Sequence, residues 1–291
     1  MRLAQIVGAV ALVFDATAAF GQGAVSGAGS CDLPHRPGVS SQQLLSGQRP
    51  RAYRLFVPPG YDGRQRLPLV LDLHGSGGSS ADQAATSGFE TLGASDRFIV
   101  ATLEAEGARW NVPARDDRAD DVAYVRDVIA HVAARVCTDE GRVYASGFSG
   151  GGRMASLLGC QLGSRIAAIA PVSGLRFSGR CDGRPMPVLT VHGLADSQNP
   201  YDGRAPGRGA EWLESVPDAL AGWARHNSCR GAAAVLDDPP GPLSTMRYNG
   251  CAAGAEVRMI RIDGLGHTWT KREVDTTAVI WQFFKGHRLG Q

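Results

Sequence analysis

The chain is short of several things, and each shortage removes a class of function. Its formal net charge is only +2 at pH 7, and the basic residues are scattered, many as Gly-Arg or Arg-Gly pairs. That removes the electrostatic case for nucleic acid or an anionic membrane as partner. No two cysteines form a C-x-x-C pair, so neither a zinc site nor thioredoxin-like redox chemistry is expected. No glycine-rich stretch carries the lysine and spacing of a phosphate loop. Nothing calls for a metal or a cofactor. Internal repeats, linkers and any extra carbohydrate-binding or lid segment are also missing, which argues for one domain. The N-terminal apolar run, Leu3 to Phe14, is too short to span a bilayer.

That run has a different use. Arg2 precedes it, and Ala16, Ala18, Ala19 and Gly21 follow, with Asp15 as an imperfection. This is the pattern of a secretory signal. We expect residues 1–21 to be a signal peptide and residues 22–291 to form a single catalytic domain. The product is then extracellular or periplasmic, with no membrane association once the signal is removed. Six cysteines in an exported chain argue for three disulfides. Many pairings are open. Topology favours Cys229–Cys251 across a surface excursion and Cys160–Cys181 at the end of a helix, leaving Cys31–Cys137 by elimination.

Apolar periodicity sets the fold class. Short buried-type runs, Pro68–His74, Phe98–Leu103, Ile166–Val172, Val188–Val191 and Val257–Ile262, read as strands. Arg51–Val57 and Met246–Asn249 are two further strands. Helical spacing covers Ala81–Leu92, Ala119–Val136, Glu211–Asn227 and Asp275–Phe284. Residues 22–48, rich in Gly, Ser, Gln and Pro, read as irregular. The alternation predicts an α/β fold with a mostly parallel sheet covered by helices on both faces. In such a sheet the chemistry gathers at the carboxyl ends of the strands.

The segment RVYASGFSGGGRM, Arg142–Met154, carries the sharpest signal. It reads strand, tight turn, helix. Gly147 and Gly151 bracket Ser149 as G-x-S-x-G, the pattern of a nucleophile elbow. A serine hydroxyl needs a general base, and the base needs an orienting acid, in the chain order Ser, acid, His. Asp196, just past the strand Val188–Val191, is the candidate acid, with Asp202 and Asp263 as fallbacks. His267, on the loop after Val257–Ile262, is the candidate base. His74 and His192, each before a glycine at a strand end, read as turn-shaping residues. Ser76, within His74-Gly75-Ser76-Gly77-Gly78, and Gly150 are the expected oxyanion-hole N–H donors. Trp110 and Trp269 flank these motifs and are candidates for stacking on a planar or sugar substrate. Asp120 and Asp121 open a helix and read as ordinary N-terminal acids.

Together these residues resemble a known family, the secreted feruloyl esterases of the poly(3-hydroxybutyrate) depolymerase-like group of α/β-hydrolases. The resemblance runs over roughly residues 31–285. It is carried by RAYRLFVPPGY, LDLHGSGGS, Arg109-Trp110-Asn111, RVYASGFSGGGRM, VHGLAD, Asn227-Ser228-Cys229, Tyr248-Asn249-Gly250-Cys251 and GLGHTW. It implies Ser149 as nucleophile, Asp196 as acid and His267 as base, in agreement with the residue-level reading. The cysteine positions, which resemble those of feruloyl esterases, point to hydroxycinnamate esters of plant polysaccharide. The depolymerase side shares the triad motifs, so a hydroxyalkanoate polyester or acetylxylan remains as an alternative substrate. Thr270 stands where many relatives have proline. The non-enzyme alternative is a secreted binding protein on an inactive hydrolase scaffold.

Overall fold

Leu67–Leu73 (β3, LPLVLDL) is buried along its whole length, as are Ile99–Leu103 (β4), Ala168–Val172 (β6) and Val188–Gly193 (β7). Such runs fit a parallel sheet with helices on both faces. That is the architecture of the computed structural model, which describes residues 31–179, 181, 183–204, 214–235 and 241–290. The expected signal segment, residues 1–21, lies outside the described residues.

Six further strands are Gly38–Ser46 (β1), Arg49–Val57 (β2), Thr138–Phe148 (β5), Arg230–Val235 (β8), Leu243–Asn249 (β9) and Val257–Ile262 (β10). The sheet order is β1-β2-β4-β3-β5-β6-β7-β10-β9-β8. From β4 to β10 all neighbours are parallel, while β1, β2, β9 and β8 run antiparallel at the two edges. The side-chain period of two divides the core. Leu69, Leu71 and Leu73 face one layer, with Tyr124 and Val128 of Asp121–Ala133 (α3), Leu158 of Gly150–Gln161 (α4) and Trp223 of Val216–His226 (α5). Val70 faces the other, with Phe89 of Phe89–Asp96 (α2) and Trp281 and Phe284 of Thr276–Lys285 (α6). This is the expected α/β-hydrolase fold. All described residues belong to one compact unit, Cys31–Gln291.

Three expectations need correction. Residues 22–48 are not irregular throughout, because Gly38–Ser46 pairs antiparallel with β2 as an edge strand. Its serines and glutamines hide the strand, since an edge needs to bury little. The single helix expected over Ala81–Leu92 is two, Ser80–Ser87 (α1) and α2, broken where Gly88 takes φ 68°. The strand β8, RGAAAV, was not anticipated, since alanines carry little apolar signal. The disulfides pair as expected: Cys31–Cys137, Cys160–Cys181 and Cys229–Cys251. Among the described residues no helix is long and apolar enough to cross a membrane.

Candidate active site

Ser149 sits between the end of β5 and the start of α4 at φ 54°, ψ −112°, a conformation L-residues rarely adopt. Such a conformation costs about 1–3 kcal/mol and persists only where the surroundings impose it. Here they do. A Cβ on Gly147 would lie 2.6 Å from the Gly151 carbonyl carbon, and one on Gly151 would overlap Leu73 O and lie 2.7 Å from His74 O. The two glycines therefore let the elbow close against the end of β3. Ser149 N–H donates to Val172 O of β6 at 2.9 Å. Although Ser149 occupies the N-cap position of α4, its side chain makes no capping hydrogen bond, so the hydroxyl is left for other partners.

The loops after β7 and β10 run side by side because their strands are paired. Leu194 N–H donates to Ile262 O at 3.0 Å, and Ala195 N–H to Leu265 O at 3.0 Å. This brings Asp196 and His267, 71 residues apart, to 2.7 Å between Oδ2 and Nδ1. A carboxylate only accepts, so Nδ1 donates and Nε2 keeps its lone pair. Asp196 Oδ1 accepts from the N–H groups of Gln198 (2.9 Å) and Asn199 (2.8 Å). Burial alone would raise the Asp196 carboxyl. The hydrogen bonds from His267 and the Asn199 N–H outweigh burial and hold it below the usual carboxylate range. The His267 ring packs at 4.7 Å on Phe148, the residue before Ser149. Asp202, a fallback acid, is instead paired with Arg204, and Asp263, the other, is exposed.

His192 lies behind the pair, with Nε2 3.6 Å from Asp196 Oδ2. Burial pushes its pKa down to about 4, so the ring is neutral and donates to Asn199 O at 2.9 Å. His74 likewise ties a turn, its Nε2 accepting from Ala105 N–H at 3.0 Å. Both histidines shape loops, as expected.

Ser149, Gly150, Ser76 and Trp110 share a cleft of about 380 Å³. A Cβ on Gly150 would lie 3.1 Å from Ser76 N, so these two backbones approach closely beside the serine. The neighbouring Gly77 N–H is committed to Ala108 O at 2.8 Å. Trp110 forms a wall of the cleft. It is only 3% exposed, and its Nε1 donates to His74 O at 2.8 Å. Trp269 does not reach the cleft, contrary to expectation. It packs edge-on against Phe89 at 5.8 Å in the opposite core layer and donates from Nε1 to Thr277 Oγ1 at 3.1 Å. Two positions past His267, its side chain turns into the core rather than toward substrate.

Other residues shape the site without a motif to announce them. Buried Arg153, on α4, donates to the side chain of Asn199, whose amide donates in turn to Ser173 O. This fixes the loop after β7 to α4. An arginine on an otherwise apolar helix face was the one available signal. Asp120 caps α3 as expected, accepting from Ala123 N–H at 2.9 Å. Asp121 does more. It pairs with buried Arg51 at 2.7 Å and accepts from Asn111 N–H at 2.6 Å, anchoring the loop that carries Trp110. Beyond Arg153 a second cavity of about 460 Å³ is lined by Val112, Leu157, Phe177, Arg176 and Glu214. Burial raises the Glu214 carboxyl and lowers Arg176. Among the described residues no group of three or more His, Cys, Asp or Glu is placed to hold a metal ion.

Comparison with known proteins bears on the family and the fold. Residues 51–190 match the family model described as esterase PHB depolymerase. The chain is 33% identical over 265 residues to a putative esterase, NocK, of Nocardia uniformis subsp. tsuyamanensis, covering 79% of this chain and 74% of that protein. It is 30% identical to a probable feruloyl esterase C of Aspergillus terreus, covering 81% of this chain and 84% of that one. A further match, 31% identical, is to feruloyl esterase B of Piromyces equi; it covers 72% of this chain but only 41% of that longer protein. Among solved structures, an acetyl xylan esterase from Aspergillus awamori superimposes with a TM-score of 0.63 at 14% identity, covering 85% of this chain and 99% of that one. At that identity the likeness shows the fold alone. The G-x-S-x-G turn, the hydrolase sheet and relatives covered over 74% and 84% of their length agree, and the chain belongs to the esterase family of α/β-hydrolases that includes feruloyl esterases and PHB-depolymerase-type esterases.

Proposed function

We propose that the chain is an exported serine carboxylic ester hydrolase working through an acyl-enzyme. The observation that carries the reading is the 2.7 Å Asp196–His267 bond beside a strained serine elbow. Ser149 Oγ attacks the ester carbonyl as its proton passes to His267 Nε2. The carbonyl oxygen becomes an oxyanion held by the N–H groups of Ser76 and Gly150. The C–O bond to the alcohol breaks, and His267 returns the proton to the leaving alcohol. Water then attacks the acyl-enzyme by the same route, releasing the acid and restoring Ser149. Asp196 stabilises the imidazolium that forms in each half. Three disulfides and the leader-like residues 1–21 support an oxidising, extracytoplasmic setting.

For the acyl group we infer a short hydroxyalkanoyl or acetyl ester. The cleft at Ser149 is lined largely by polar side chains, and Trp269 offers no stacking face there. A hydroxycinnamoyl ester is the second reading, favoured by the names of the relatives and by the adjoining cavity with Phe177. Two experiments test this. Ser149→Ala should stay folded and lower turnover of 4-nitrophenyl acetate by about 10⁶-fold; comparable activity in variant and parent refutes the nucleophile assignment. A side-by-side assay of methyl ferulate, acetylated xylan and hydroxybutyrate oligomers ranks the acyl classes, and a clear lead for methyl ferulate reverses our order.

A further inference from the structure

Two charged side chains at the cleft have no part in ester hydrolysis as described. Arg109 and Arg118 both line the cavity that holds Ser149. Arg109 is exposed and makes no side-chain hydrogen bond or ion pair among the described residues. Arg118 is half-buried, and its guanidinium donates to Trp110 O at 3.2 Å and Arg109 O at 2.6 Å. Both acceptors are neutral, and the carboxylate that feels the Arg118 charge, Asp117, is already paired with Arg115. Three carboxylates that share an adjoining cavity with both arginines are already engaged, and exposed Asp116, without a side-chain partner among the described residues, does not line the cleft of Ser149. Glu106 pairs with Arg49 at 2.7 Å, Asp117 with Arg115 at 2.9 Å and Asp121 with Arg51 at 2.7 Å. No acidic side chain lines the cleft among the described residues.

A fixed guanidinium beside a free one, facing a cleft with no carboxylate of its own, is a pre-formed partner for a carboxylate on the ligand. We propose that Arg109 and Arg118 form a carboxylate-recognising wall, so that the esters turned over best carry a free carboxylate a few bonds from the scissile carbonyl. This rests on the ester-hydrolase reading centred on Ser149. The carboxylate can come from either side of the ester. A hydroxyalkanoate oligomer or a uronate-bearing sugar supplies it on the alcohol, and a dicarboxylic monoester supplies it on the acyl group. Clamping of the loop accounts for the carbonyl bonds of Arg118 but not for the uncompensated charge of Arg109.

The test uses two matched pairs of esters with the full chain. One pair is 4-nitrophenyl hydrogen glutarate against 4-nitrophenyl glutaramate, and the other is 3-acetoxybutanoate against 3-acetoxybutanamide. In the parent at low salt, the anionic member of at least one pair should have a kcat/KM about tenfold higher, the worth of one charge-assisted hydrogen bond at a half-open site. The pair that shows it identifies the side of the ester. The advantage should shrink as ionic strength rises. Arg109→Gln should lower the anionic-to-neutral ratio several-fold and Arg109→Lys should lower it less. Arg118→Gln also removes two carbonyl bonds and loosens the loop, so Arg109→Gln carries the decision. Ratios near one in the parent, or a ratio that Arg109→Gln leaves unchanged, overturn the proposal while the ester-hydrolase reading stands. If none of the four esters is cleaved, both readings fall.

Discussion

Replacing Asp196 by asparagine changes one atom and should disable the base. Oδ1 accepts two backbone N–H groups, from Gln198 and Asn199, at 2.9 and 2.8 Å. An NH₂ group cannot accept them, so the asparagine must keep its oxygen at that position. Its NH₂ then takes the place of Oδ2 and points at His267 Nδ1, 2.7 Å away. Nδ1 is forced to accept, and the ring proton moves to Nε2, the atom that receives the Ser149 proton in the proposed reaction. The same aspartate-to-asparagine exchange in a serine protease triad lowers kcat by about 10⁴-fold, equivalent to about 5.5 kcal/mol of barrier. A loss of that size is expected here. Because both backbone bonds to Oδ1 survive, the thermal midpoint should move little, in contrast to Asp196→Ala, which strands the buried Asn199 N–H and frees that of Gln198. The assay is steady-state hydrolysis of 4-nitrophenyl acetate, with circular dichroism to establish that the variant folds. Activity of Asp196→Asn within tenfold of the parent would show that another residue orients the base.

Gly151→Ala should cost about 3 kcal/mol or more, since its Cβ has no room against Leu73 O and His74 O; urea midpoints measure this, and a neutral result contradicts the elbow packing. Trp269→Ala should lose about 3–5 kcal/mol of stability while leaving the ratio of kcat/KM for methyl ferulate to that for 4-nitrophenyl acetate unchanged, and a shifted ratio would restore it to the substrate site. Asp72, on β3, is pushed up to about 7 by burial, against hydrogen bonds from Ser87 and Gln83 that pull it down. A raised folded-state pKa means that this carboxyl's stability contribution is fully present below about 4 and is lost as pH rises to about 7. Asp72→Asn should therefore flatten the pH dependence of the urea midpoint over that window and gain up to about 4 kcal/mol at its upper end; an unchanged slope refutes the assignment.

The parts of this molecule that were legible in its sequence are those fixed by local necessity. The parallel strands announce themselves because a strand buried on both faces has to be apolar throughout, as LPLVLDL is. The elbow announces itself because two crossing backbones leave room only for glycine at 147 and 151. The meeting of Asp196 and His267 was legible from chain order and strand ends, both local cues. What escaped depends on distant partners. Nothing near Trp269 reveals that its ring turns toward Phe89, 180 residues earlier in the chain. The Arg51–Asp121 pair and the Arg153–Asn199 contact join segments separated by 70 and 46 residues. The edge strand β1 escaped because it gains most of its stability from pairing rather than from burying side chains.

The loop between β4 and α3 has a consequence for how such a chain can change. It begins at Leu103 and is held at its far end by Asp121 and Arg51, with Asn111 bonded internally to Arg115 and Ala119. It supplies Arg109, Trp110, Val112 and Arg118 to the cleft, yet none of Ser149, Asp196 and His267. The segment is thus a cassette set between two fixed ends of the scaffold and tied to the end of β3 through Ala105, Ala108 and Trp110. Descendants that exchange it can acquire a new range of esters, provided the new segment keeps the bonds to His74 and Gly77 that brace the proposed oxyanion turn. Laboratory grafting of the corresponding stretch from a relative has the same two natural junctions.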